Sequence, residues 1–103
     1  MFTYISGRNT IGSKAYLVNA DFRGSNLYGA SLEDTSMDGA NLNGAIAGAY
    51  FGASLLDAGS IANADFTDAS IPPKILVQVC ERDDAKGTNP TTGVDTSESL
   101  MCP

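Results

Sequence analysis

A five-residue repeat constrains this chain more than any other feature. Residues 20–44 read ADFRG, SNLYG, ASLED, TSMDG and ANLNG, each block setting a small residue first, a polar one second and a large apolar one third. Extended both ways, the third position falls on Leu17, Phe22, Leu27, Leu32, Met37 and Leu42. One residue is then skipped near Asn43 and Gly44, and the series resumes at Ile46, Phe51, Leu56, Ile61, Phe66 and Ile71. The position two before each is small throughout, from Ala15 and Ala20 through Gly44, Ala49 and Ser54 to Ala64 and Ala69. An α-helix would rotate such a series around its axis and leave no apolar face. A flat strand would send successive members to opposite sides. The period works if each block makes a short extended side followed by a corner, so that every large residue points at one axis. Gly24, Gly29, Asp34, Gly39, Gly48, Asn63 and Asp68 follow those residues and suit corners.

The blocks resemble the pentapeptide-repeat family, A-(D/N)-L-x-x, over residues 15–71. That resemblance implies an all-β solenoid: a right-handed quadrilateral β-helix of about three coils, four blocks to a coil, standing ~15 Å tall at a rung spacing of ~4.8 Å. Its internal columns would be Leu17/Met37/Leu56, Phe22/Leu42/Ile61, Leu27/Ile46/Phe66 and Leu32/Phe51/Ile71. A stack so short exposes apolar residues and unpaired backbone at both ends, and needs caps. Residues 1–14 are read as the N-terminal cap, with Phe2/Tyr4 and Thr3/Ile5 alternating as in a strand.

The C-terminal cap is read over 72–103. Pro72 and Pro73 break the register. Ile75, Leu76, Val79 and Cys80 then recur at helical spacing. GTNPTTG marks a loop, and Asp95 or Thr96 can cap a second short helix with Glu98 in its first turn. Two short helices joined by a loop would fold over the open end. Cys80 and Cys102, the two cysteines of the chain, would tie them. A structural disulfide closing that loop is worth roughly 3 kcal/mol; the alternative is a regulatory thiol pair, although the cysteines lack a C-x-x-C arrangement. The tail is also similar to the ending of thylakoid-lumen pentapeptide-repeat proteins of cyanobacteria and chloroplasts, through Cys80, Gly87, Thr88, Asn89, Thr92, Gly93, Leu100 and Cys102. In those relatives a Cys pair frames a similar loop, and the lumen they occupy allows a lasting disulfide.

Composition narrows the function. At 103 residues the chain has room for one core, and no apolar run approaches a membrane span, so no membrane insertion is expected. No targeting segment is visible after Met1, which fits a cytosolic chain, or a mature form or fragment lacking its presequence. The net charge of −6 is spread along the chain and argues against direct nucleic-acid binding. With no histidine, the commonest general base and metal ligand are absent. Neither a cofactor nor a metal site is expected: Glu81, Asp83 and Asp84 read as a solvated helix end, and Glu33, Asp34 and Asp38 as corner residues facing water rather than a catalytic pocket. GTNPTTG lacks the Gly-Lys-Ser/Thr ending of a phosphate loop. Tyr16, Tyr50 and Leu55 stand where the repeat usually has a polar residue. Together with Val18 they are expected to form an apolar patch, either a docking surface or a face covered by the chain's own N-terminal segment.

The expectation is therefore not an enzyme. The resemblance to lumenal relatives implies a structural or protein-interaction module, an accessory or assembly subunit docking on a photosystem or other thylakoid membrane complex from the lumen. The alternative is an acidic mimic of DNA acting on a type II topoisomerase, and a small hydrolase or redox protein is the remote third reading.

Overall fold

The computed structural model describes residues 18–33 and 35–102. Residues 1–14, expected to form an N-terminal cap, lie outside them together with Ala15, Tyr16, Leu17 and Asp34. The repeat begins with its corners. The residue two after each large apolar one sits in the left-handed region: Gly24 at φ 69°, Gly29 at 79°, Gly39 at 72°, Gly44 at 73°, Asn63 at 61° and Asp68 at 65°. The amide one residue further on donates back to the apolar residue's carbonyl, as in Ser25 N to Phe22 O at 3.0 Å and Ala30 N to Leu27 O at 2.9 Å. That is the pattern of a type II turn, which requires positive φ at its third residue. The polar residue before each centre completes it. Asp21, Asn26, Asn41 and Asp65 each accept the amide two residues on, at 2.9–3.0 Å. A short carboxylate or amide thus satisfies the one corner donor that the turn leaves open.

Corners every five residues bring the chain back on itself about every twenty. Asp21 pairs in parallel with Asn41 and Asn41 with Ser60; Asn26 pairs with Ile46 and Ile46 with Asp65; Ser31 pairs with Tyr50 and Tyr50 with Ser70. Only the third side extends to named strands, β1 (Ser31–Leu32) and β2 (Tyr50–Phe51). The parallel rung pairing expected of stacked coils is present, but the strand content of an all-β chain is not, because each side is extended for one or two residues before it must turn. Phe22, Leu27, Leu32, Met37, Leu42, Phe51, Ile61 and Phe66 are buried along the axis. The rings of Phe51 and Phe66 meet edge to face at 5.8 Å.

Two expectations of register are corrected. The skipped residue lies not at Asn43–Gly44 but at 47–49. There Ala49 N bonds to Ala47 O at 2.8 Å, a corner one residue tighter than the others. Gly44 is an ordinary left-handed corner, so Ile46 moves to the outward rung between Asn26 and Asp65, and Ala47 replaces it on the axis at 0% exposure. Three small residues in a row allow the tight corner, and the bulk of Phe66 beneath offsets the small Ala47. The second correction is at the fourth side, where Ala53–Asp57 forms a 3₁₀ turn instead of an extended rung. Its three-residue period turns Leu55 and Ala58 inward, linked by Ala58 N to Leu55 O at 3.2 Å, and leaves Leu56 half-buried. The turn begins at Gly52, where any Cβ would lie 2.5 Å from Glu33 O.

After Pro72, helix α1 (Pro73–Cys80) starts with proline at its first position, where no amide bond is lost. It buries Val79, partly buries Ile75, Leu76 and Cys80, and packs against the 3₁₀ turn. Helix α2 (Thr96–Ser99) is a single turn. Asp95 precedes it but does not cap it; its carboxylate accepts from Thr88 Oγ1 at 2.6 Å. No helix among the described residues is long and apolar enough to cross a membrane.

Candidate functional site

The outward face of the coils is a ladder of short polar residues, and aromatic residues interrupt it. Tyr50 stands between Ser31 and Ser70 and is 50% exposed. Tyr28, at the neighbouring corner, is 49% exposed. Its ring lies across Gly48, where a Cβ would come within 2.7 Å of it, and its hydroxyl donates to Asp68 Oδ2 at 3.4 Å. The Tyr28 side chain therefore spans from the first coil to the third. Tyr50 was legible as a departure from the repeat; Tyr28 was missed, because corner positions tolerate any side chain and only Gly48 beneath it marks the groove.

The patch anticipated from Tyr16, Val18, Tyr50 and Leu55 is not assembled as such. Leu55 is a core residue at 0% exposure, a correction that follows from the 3₁₀ turn. Val18 is exposed at a corner whose neighbour Asn19 bonds to Asp38 O, a full side away from the Ser31–Tyr50–Ser70 rung. Tyr16 lies outside the described residues.

The acidic groups have structural employment. Asp84 accepts Arg82 Nε and Nη2 at 2.7 and 2.8 Å and Ile61 N at 3.0 Å, while Arg82 also donates to Leu56 O and Ala58 O. The Arg82 bonds, with help from the Ile61 amide and against partial burial, hold the Asp84 carboxyl below its ordinary value. Burial pushes Asp65 up, but bonds from the Thr67 hydroxyl and amide and from the Thr92 hydroxyl outweigh it, and the net shift is downward. Asp21 is held at about 2 by the side chain and then the amide of Arg23, which it bonds at 2.7–3.0 Å. Glu81 and Asp83 are exposed. Among the described residues no group of acids or cysteines is placed to hold a metal ion.

The GTNPTTG loop is organised by Asn89, which is buried. Its Nδ2 donates to Gly44 O, Ala45 O and Asn63 O at 3.0–3.1 Å, and its Oδ1 accepts from Thr91 N and Thr92 N. One side chain thus fastens the loop to corners of the second and third coils. Beyond it, Cys80 and Cys102 form a disulfide with a Cα–Cα distance of 5.7 Å, joining α1 to the residues after α2.

Five-residue corners stacked in parallel define a coiled repeat chain. The pentapeptide-repeat family matches residues 13–46, in eight copies. The resemblance carried by the blocks thus has a family-model match over about a third of the chain. No curated protein matches it. Among solved structures it is similar to a pentapeptide repeat protein from the thylakoid lumen of Arabidopsis thaliana, at 28% identity, 86% coverage of this chain, 68% of the other and a TM-score of 0.40.

Proposed function

We propose that the chain is a non-enzymatic structural or interaction module, an accessory or assembly subunit that docks on a photosynthetic membrane complex from the thylakoid lumen. Its framework on this reading is a right-handed quadrilateral β-helix over 15–71 between an N-terminal cap (1–14) and a disulfide-linked cap (72–103). The observation that carries the docking role is Tyr50, a half-exposed aromatic on a rung whose other members are serines. A half-exposed aromatic ring stands out on such a ladder, and aromatic residues are the side chains most often central to interfaces. Tyr28 extends the surface across three coils. The lumenal setting is supported by the tail from Cys80 to Cys102 and by a disulfide that an oxidising compartment preserves.

The test is affinity capture of the tagged chain from thylakoid membranes under non-reducing conditions, with a Tyr50→Ser variant in parallel. Photosystem or other membrane-complex subunits are expected with the native chain, reduced about tenfold or more with the variant while its unfolding midpoint is retained. Equal recovery from both, recovery of topoisomerase subunits, or recovery of neither class would overturn the proposal.

A further inference from the structure

The C-terminal segment imitates a fourth coil. Helix α1 underlies the 3₁₀ side, residues 82–86 follow beneath 56–63, and α2 follows beneath Phe66. Each downward-facing amide along this path finds an acceptor: Ile61 N bonds to Asp84 Oδ2 at 3.0 Å, Asn63 N to Lys86 O at 3.0 Å and Phe66 N to Ser99 Oγ at 2.8 Å. The imitation stops at Ala69, Ser70 and Ile71. The rung pattern of the coils above is definite on this side: Tyr50 N donates up to Ala30 O, and Phe51 N donates down to Ser70 O. A further rung would therefore donate to Ala69 O and accept from Ile71 N. Neither group has a hydrogen-bond partner among the described residues. Beside them opens a cleft of about 190 Å³ whose apolar walls include Phe66, Leu76, Leu100 and Met101. Met101 forms its rim, 83% exposed and held at φ 61°.

We propose that this side binds one extended peptide segment of a partner protein, running parallel to residues 69–71 as the next rung. The occupant is specified by continuity with the rung-on-rung interface above it. It needs a small residue beneath Ala69, an amide and a carbonyl at rung spacing, and one large apolar side chain for the cleft, which has room for a single such group. Strand addition to an open edge takes its affinity from the main chain and its specificity from alternate side chains. The site continues the side that carries Tyr50, one rung beyond Ser70, but it is built from the unpaired backbone of Ala69 and Ile71 and the cleft beside them, and it holds whether or not the Tyr50 surface docks.

The chain's own sequence supplies a probe. YGASLED, residues 28–34, contains the rung that occupies this side in the first coil. Titrated into the ¹⁵N-labelled full chain, the acetylated, amidated peptide is expected to shift the Asp68 and Ile71 amide signals saturably and to slow solvent exchange at Ile71. Replacing the probe's leucine with serine, or Met101→Glu in the protein, is expected to weaken binding by about tenfold, the scale of losing one buried apolar contact. No saturable shift at these amides with millimolar peptide would overturn the proposal, as would equal binding of the serine probe. Shifts of the same amides with protein concentration alone would make the occupant a second copy, which also overturns it.

Discussion

Ser25 holds one of the inward small positions and is completely buried, yet its hydroxyl has no partner among the described residues. Alanine occupies the same position at residues 20, 30, 40, 45, 64 and 69. A buried hydroxyl without a hydrogen bond forfeits its hydration and gains nothing. Ser25→Ala is therefore expected to stabilise the chain by about 1 kcal/mol, read as a higher urea midpoint at unchanged slope. Thr35, also in that column, differs: its Oγ1 donates to Leu32 O at 2.9 Å, and the same change there removes a bond. At this scale the sequence is read well where geometry demands a residue type. The left-handed corners accept Gly, Asn or Asp, and those residues are visible. It is read poorly between Gly44 and Leu56, where Ile46 is more apolar than Ala47 and Leu56 no less apolar than Leu55, yet Ala47 and Leu55 face the axis. Hydrophobicity names candidates; the corner's hydrogen bond decides between them.

Among the elements, the C-terminal segment depends on side chains reaching into the coils. Asn89→Ala removes the donor shared by Gly44 O, Ala45 O and Asn63 O together with the acceptor for two loop amides. The expected cost is roughly 2–4 kcal/mol, since carbonyls around a buried site lose their partner. Faster amide exchange at Ala45 and Asp65 would report the loosening locally. The Cys80–Cys102 bridge spans 22 residues, and reducing it is expected to cost about 3 kcal/mol through the freedom returned to the unfolded chain. A midpoint unchanged by reductant would refute that. Helix α1 was legible from apolar spacing and prolines, and α2 from the Asp95–Thr96 start with Glu98 in its first turn. The Arg82–Asp84 clamp was not, because its acceptors are backbone carbonyls that have no signature in sequence.

For the molecule as a whole, acid is the informative stress. Asp65 and Asp84 both titrate below their ordinary value in the folded state. Below about pH 4 the unfolded chain then binds more protons than the native one. Their contribution is complete at neutral pH and is lost as pH falls from there through the lowered native values. Asp84→Asn is expected to flatten the decline below about pH 4 while lowering stability at pH 7, in urea unfolding followed from pH 7 downward. Asp21 titrates lower still, at about 2, but it is paired with Arg23 in open solvent and adds little.

Asn89 also bears on the order of events when the chain folds. Its three carbonyl partners lie 26, 44 and 45 residues away, on corners that become neighbours only after the second and third coils have stacked. Every rung pairing before it closes a loop of 19 or 20 residues, and such closures set the pace of folding. The loop can therefore lock only onto a correctly counted stack. A coil closed with one residue too many or too few would present the wrong carbonyls, and the latch would stay open until the count was corrected.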